Sequence, residues 1–532
     1  MEELFWADKL AQTIINRKEY HYQDKKMALF KQFVVKTSAS ISGVLHIGRL
    51  SDTIRGSTVH MALQNAGVKT ELIWVAEDMD PLRKIPEGVP KAYEKYLGMP
   101  VTSIPDPEGI FESYAAKHKD AYLTVIDQFI FSKMKKFSMM EEYEKGHFKP
   151  FIKDIMANLK EIKDIQNKYR REPLPDDFSP WKPICARCGK IATPAITHFD
   201  GEKVQYECKD YRFEKTTAKG CGHKGDADPL KDKGKLLWKG EWAAQWARWK
   251  VCSEGAGKEY QVPNSAWWVN GEIVEKILDF PMPEPIFYEH LLIEGQKMSA
   301  SVGNVVYPKD WLNVATAEML RLLYNKRLMT TRSFSWKELP LVYEDIDRTT
   351  RFALGEQKLD NEKELAHYKK LHAYSVGDTK ASLPMNFNHA LMLVQFYENE
   401  DDMIASLKKT GQYDKKRKED ILDRLSKAKR WLKDYAPDEA RFELQNSVKG
   451  AKISAEQRHA LKMLAEDLKE KEWEEKDLFN RFYEICGEAG IKNTIFFQGA
   501  YQVLLKRDRG PKLASFILVL GPKKVADLFS QL

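Results

Sequence analysis

Phe33-Val34-Val35-Lys36, then Thr37-Ser38-Ala39-Ser40-Ile41-Ser42-Gly43, then Leu45-His46-Ile47-Gly48-Arg49 is the stretch on which the reading of this chain turns. The apolar, β-branched run Phe33–Lys36 has the character of a buried strand, and the small residues from Thr37 to Gly43 read as a loop. Leu50, Ile54, Val59 and Leu63 then recur at helical spacing until Gly67, and Leu72-Ile73-Trp74-Val75 is a second strand. A strand–helix–strand unit of this length closes with a right-handed crossover and parallel strands, which predicts an α/β, Rossmann-like doubly wound sheet. Ligands on such a sheet bind at the carboxyl ends of the strands, where the Thr37–Gly43 loop and Glu77-Asp78-Met79-Asp80 would both emerge.

His46 and Gly48 stand at the start of the helix. Free N–H groups and the positive dipole end favour an anion there, and glycine admits a flat base or a phosphate close to the backbone. An imidazole beside them can stabilise charge developing on an α-phosphate. Alone, these residues describe a helix-start histidine in a tight turn. The second motif changes the balance: Lys297-Met298-Ser299-Ala300-Ser301 lies between Gly295 and Gly303. A lysine on a glycine-bounded loop is a point charge able to follow charge on phosphates. Met298 reads as a packing anchor, and Ser299 and Ser301 either donate to phosphate or cap the turn. Together the motifs suggest a nucleoside triphosphate gripped at its α-phosphate by one and at its outer phosphates by the other.

The chain's 532 residues imply two to four domains. Its 85 basic and 78 acidic residues leave a net charge of only +7, so any nucleic-acid binding must come from local patches. Met1-Glu2-Glu3-Leu4-Phe5 lacks the basic start and apolar run of a secretory signal, and Phe516–Leu520 is too short to cross a bilayer; a cytoplasmic protein is expected. Four of the six cysteines lie between Cys185 and Cys221, which points to a metal rather than to disulfides. Cys185-Ala186-Arg187-Cys188 is a knuckle, and Cys208 and Cys221 complete a tetrahedral set for a structural Zn²⁺, with His223 a possible substitute for Cys208. Cys252 and Cys486 read as buried thiols.

From about Tyr96 to Arg171 the pattern is helical, broken at Pro100, Pro105 and Pro107, and the metal module spans roughly 180–225. The tract Trp238–Ser301 reads as sheet and loop. Beyond Leu339 helical periodicity dominates, with basic clusters at Lys408-Lys409, Lys415-Lys416-Arg417-Lys418 and Lys427-Ala428-Lys429-Arg430. Residues 1–95 and 236–338 are therefore expected to form the two halves of a catalytic domain, interrupted by a helical and zinc-ribbon insertion over 96–235 and followed by an all-α region over 339–532. Trp238, Trp242, Trp246 and Trp249 suit either a core or a ligand site; Glu241, Asp78 and Asp80 favour a small cationic ligand held by charge and by aromatic faces. The basic clusters fit a solvated helical face or an RNA surface, and Trp431, Tyr435, Phe496, Phe497 and Tyr501 read mostly as core.

The two motifs resemble the hallmark pair of class I aminoacyl-tRNA synthetases, His-Ile-Gly-His and Lys-Met-Ser-Lys-Ser. Within that class nearly the whole chain is similar to the archaeal-type lysyl-tRNA synthetases. The likeness runs through Phe5-Trp6-Ala7-Asp8, Asp80-Pro81-Leu82-Arg83-Lys84-Ile85-Pro86, Tyr96–Val101, Ile104–Pro107, Glu112–Ala115, Leu236–Tyr260 with Glu254 and Gly257-Lys258-Glu259-Tyr260, Tyr288-Glu289 and Arg509-Gly510-Pro511. It implies that lysine is activated by ATP with Mg²⁺ to lysyl-adenylate and then passed to the terminal ribose of tRNA(Lys). By carry-over His46, Gly48, Lys297 and Ser299 are catalytic, and Thr37, Gly43, Arg49, Gly257 and Met298 join them around ATP. Asp78, Asp80, Trp242, Tyr260 and Tyr288 form the lysine pocket, and the C-terminal helices bind the anticodon. A monomer is expected.

The chain departs from the family in places. Arg49 stands where the class has histidine and the family often asparagine, putting an extra cation before the phosphates. The Ser40–Gly43 stretch lacks the usual proline, Tyr260 replaces a histidine, Glu241 replaces an aspartate, and the Cys208–Cys221 spacing is wide. Ala300 replaces the second lysine of the class motif, a change common in the family. The rival readings are another class I synthetase, glutamyl-type among them, and an inactive tRNA-binding paralogue.

Overall fold

The computed structural model describes residues 5–41, 43, 45–85, 89–298, 304–379 and 381–532. They form two compact units, the first comprising residues 1–312, 316–334 and 361–377 and the second 313–315, 335–360 and 378–532.

The first unit is built on a five-stranded sheet of β1 (Phe33–Ser40), β2 (Thr70–Glu77), β3 (Met134–Ser138), β4 (Val251–Gly257) and β5 (Glu284–Tyr288), in the order β5-β4-β1-β2-β3. Every neighbouring pair is parallel. The chain moves outward from β1 to β2 and β3, then returns to the other side of β1 as β4. The order therefore reverses between β1 and β4, and a crevice opens there at the strand ends.

The Rossmann-like expectation holds, with four differences in detail. β1 runs on to Ser40, pairing residue by residue with Thr70–Glu77, so Thr37 lies in the strand and not in a loop. Its small side chains read as a loop in sequence, but they let helix α1 (Ile47–Asn65) lie close on the sheet: a Cβ on Gly56 would run into Thr37 Cγ2. α1 is not a one-faced amphipathic helix. Polar residues Ser51, Asp52, Thr53, Arg55 and His60 are buried like Leu50 and Ile54, because the helix is covered on both sides, and Ser51, Arg55 and His60 are bonded inside. Thr58 Oγ1, for example, donates to Asn325 Oδ1 at 2.9 Å.

β3 comes from the stretch read as helical insertion. Lys135 and Lys136 broke the apolar pattern, yet an edge strand carries charge readily, and Met134–Ser138 pairs with Leu72–Ala76 at the sheet margin. The catalytic sheet therefore takes in residues beyond 95. The tract from Trp238, read as sheet and loop, contains two helices as well as β4 and β5: α2 (Trp238–Trp249) and α3 (Ala266–Lys276). Gly240, at φ +154°, breaks the first turn of α2, and Asn270 Oδ1 of α3 accepts the Gly240 and Ala243 N–H groups there.

Residues 181–236 form a small β module closed by an antiparallel pair, Trp181–Pro183 with Gly234–Leu236. The second unit is helical throughout its described residues apart from its connecting segments, from Leu339–Ala353 to Pro522–Phe529. Its core includes Trp431, Phe496 and Phe516. Arg424, between two of the basic clusters, is tied to both oxygens of Asp347 at 2.8 Å and serves the core. Among the described residues no helix is long and apolar enough to cross a membrane.

Candidate active site

The crevice between the ends of β1 and β4 holds a cavity of about 480 Å³. On one lip His46 caps α1: its Nδ1 accepts the Gly48 N–H at 3.2 Å, so Nε2 carries the proton and is free to donate. Burial, with Arg49 and Lys297 nearby, pushes the His46 imidazole down to about 4, so it is neutral near pH 7. Met298 Cε packs against Gly48, where an added Cβ would stand 2.9 Å from it, and this contact joins the two motifs. Lys297 Nζ lies 3.2 Å from His290 Nε2, which in turn is 2.9 Å from Glu259 Oε2. His46, Arg49 and Lys297 thus make one end of the cleft cationic.

The other part is acidic and aromatic. Glu77, Asp80 and Glu254 line it beside Trp238 and Trp242, whose rings stack at 4.8 Å. Glu254 Oε2 accepts from Trp242 Nε1 at 2.9 Å and Trp246 Nε1 at 2.6 Å. Glu77 Oε2 accepts from Gln245 at 3.1 Å, while its Oε1 makes no hydrogen bond. Burial pushes Glu77 up to about 8; Lys36 opposes that shift and Glu241 adds to it. Burial, then Glu254, raises Asp52 to about 7. Lys235 Nζ bridges Asp80 at 3.3 Å and Glu241 at 2.8 Å.

Most residues singled out in the sequence meet here: His46, Gly48, Arg49, Asp80, Trp242, Gly257, Tyr260, Tyr288, Lys297 and Met298 all line the cleft. Two do not. Thr37 turns its hydroxyl to the Ile73 carbonyl inside the sheet. Asp78 points away, accepting Ser138 Oγ at 2.6 Å and the Met140 N–H at 3.0 Å, and so caps the helix after β3. Gly43 lies half-buried between residues outside the described set, and Ser299, Ala300 and Ser301 also fall outside it. Glu241 is wholly buried behind the cleft, bonded to Tyr143 Oη at 2.7 Å. Sequence reasoning put Glu77 at the ligand-binding strand end without giving it a role, and it missed Asp52, Glu259 and His290 as cleft residues. A signal was there for Glu259, which follows Gly257-Lys258.

The four sulfurs of Cys185, Cys188, Cys208 and Cys221 lie within 4.8 Å of one another. The Cys185–Cys221 and Cys188–Cys208 separations are both 3.6 Å, far too long for a disulfide and close to the edge, about 3.8 Å, of a tetrahedron of thiolates around a zinc ion. Cys208 belongs to the set and His223 does not; its ring rests on Tyr206. A short hairpin of Tyr211–Arg212 and Thr217–Ala218 takes up the wide spacing between Cys208 and Cys221.

His46 and Gly48 meet Lys297 and Met298 at the reversal point of a parallel sheet, the arrangement of a class I synthetase fold. A family model described as tRNA synthetases class I (K) matches residues 4–375, and the chain belongs to that family. Among known proteins it is 28% identical to the lysine–tRNA ligase of Methanosphaera stadtmanae, with 98% of each chain covered. It is 30% identical to that of Methanocaldococcus jannaschii, with 99% of each covered, and 30% identical to that of Thermococcus kodakarensis, with 97% of each covered.

Proposed function

We propose that the protein is a lysine–tRNA ligase: it activates lysine with ATP as lysyl-adenylate and passes the lysyl group to tRNA. The observation that carries this reading is the segregation of charge along one cleft. A triphosphate finds His46, Arg49 and Lys297, while an ammonium-bearing side chain finds Glu77, Asp80 and Glu254 beside indole faces.

In the first step a carboxylate oxygen of lysine attacks the α-phosphorus of ATP, supplied as its magnesium complex, and the bond to pyrophosphate breaks. The neutral His46 donates its Nε2–H to oxygens that gain charge at that phosphorus. Gly48 lets the nucleotide lie against the helix start, and Lys297 neutralises the departing phosphates. In the second step a hydroxyl of the terminal ribose of tRNA attacks the acyl carbonyl and AMP leaves. We assign anticodon binding to the helical second unit and a structural role to Zn²⁺ held by the four cysteines, where it ties the ends of the module together. A cytoplasmic monomer fits this reading.

A glutamyl-type activity fits poorly, because a substrate carboxylate would face Glu77 and Asp80 while Lys36 and Lys235 are already engaged. The test is ATP–pyrophosphate exchange with each amino acid in turn, alongside Lys297→Ala. Lysine-dependent exchange that falls about 10²-fold or more in the variant, with folding intact, is expected. Exchange driven by glutamate, or none with any amino acid, overturns the reading.

A further inference from the structure

Lys36 lies at the centre of β1, wholly buried and in register with Glu254 of β4. Its Nζ stands 2.5 Å from Glu254 Oε1 and 4.0 Å from Glu77 Oε1. The second oxygen of Glu254 is held by the two indole N–H groups, so the ammonium sits in a cage of two carboxylates backed by Trp242 and Trp246. A mid-sheet position needs no charge; an apolar residue there would avoid the cost of desolvating an ion pair. What the cage does resemble chemically is a binding site for a primary alkylammonium, and both of its carboxylates also line the cleft.

Two carboxyl groups of the cleft wall keep bonding capacity in reserve. Glu77 Oε1 has no hydrogen bond, and Asp80 holds its partners Lys235 and Ser40 only at 3.3 Å each. We propose that the cleft contains two ammonium subsites in line, that Lys36 permanently fills the inner one, and that it thereby confines the substrate ammonium to the outer one at Glu77 and Asp80. Lys36 is a positioning residue that sets the length of the amino-acid side chain accepted. The inference rests on the lysine reading of the cleft and adds to it the chain's own lysine as the stop.

Cutting Lys36 back to alanine empties the inner subsite and leaves a channel matching n-propylammonium, which has the same atoms as the lysine side chain from Cγ to Nζ. The full-length protein, Lys36→Ala and Lys36→Met are compared in exchange with ornithine, lysine and homolysine, and in thermal melts with and without n-propylammonium. Lys36→Ala should lose about tenfold in kcat/KM for lysine through KM for lysine and not for ATP, shift its preference toward homolysine, and recover with the amine. The amine should also raise its Tm by about 2 °C, the size expected for a ligand at ten times its Kd, while leaving wild type and Lys36→Met unmoved.

If Lys36→Ala does not fold, Lys36→Met decides. With the ammonium gone, Glu77 loses the main charge that opposes its burial and its pKa rises further, so kcat/KM for lysine should fall and its pH profile should move to the alkaline side. A folded variant with the wild-type KM for lysine, preference and pH profile overturns the proposal. So does a folded Lys36→Ala whose Tm ignores the amine. The melting arm needs no activity, so a wild-type protein inactive with lysine would refute the function without deciding this point.

Discussion

Replacing Gly48 with alanine should separate catalysis from stability. A Cβ at this position would stand 2.8 Å from Nδ1 and Cε1 of His46 and 2.9 Å from Met298 Cε. Ordinary contacts between such atoms begin near 3.5 Å, so ring and thioether must each retreat by about 0.7 Å. The hydrogen bond from the Gly48 N–H to His46 Nδ1, already 3.2 Å long, would stretch beyond useful length. Losing that cap costs about 1 kcal/mol, and the helix preference of alanine over glycine returns about as much. Stability should therefore hardly change. The Nε2–H that we assign to the α-phosphate, however, is displaced; loss of one such donor, or a misplacement of this order, costs about 10²-fold in rate, equivalent to about 2.7 kcal/mol. Lysine- and ATP-saturated exchange should fall by that factor, with KM for lysine within about twofold and Tm within about 2 °C of wild type. Exchange within threefold of wild type at unchanged Tm would refute the coupling of Gly48, His46 and Met298.

Two other outcomes follow from buried groups. His60 and His389 are both pushed down to about 4 by burial, so the folded chain keeps them neutral while the unfolded chain protonates them from about pH 6.5 downward. Stability is complete above pH 6.5 and is lost as pH falls toward 4, by about 3 kcal/mol for one such group at the low end. Urea unfolding of His389→Asn should show a flatter acid limb than wild type, and an equally steep one would contradict the assignment. In the cysteine module, elemental analysis should find one zinc per chain. Cys208→Ser should lose it and His223→Ala should keep it; the reverse pattern would replace Cys208 with His223 as the fourth ligand.

How far the sequence could be read depended on how local each signal was. The β1–α1–β2 unit, the His46–Gly48 helix start, the pair Lys297-Met298 and the knuckle are contiguous patterns, and each appears in the structure near its expected place. β3 was missed because Lys135 and Lys136 disguise an edge strand, and the helices after Trp238 because large aromatics fit strand and helix alike. Asp80, Trp242, Tyr260 and Tyr288 were picked out by residue type and by resemblance. Asp78 has the same chemistry as Asp80 but points elsewhere, because the chain turns after the strand ends at Glu77 and a helix start at Ser138–Met140 claimed its carboxylate.

The sequence by itself determined the sheet class, the motifs that bring His46, Gly48 and Lys297 to one cleft, and a cysteine cluster whose fourth member, Cys208 or His223, it left open. Only the tertiary structure decided which carboxylates face the cleft, that Met298 bridges the motifs, and that Lys36 and Lys235 already occupy part of the acidic wall. The physical reason is one of range. Helix starts, glycine-bounded loops and cysteine pairs are specified by neighbours in the chain. The partner of a buried charge is chosen across strands more than two hundred residues apart, as between Lys36 and Glu254, separated by 218 positions. There, the cost of desolvation makes pairing obligatory, and no local pattern says with whom.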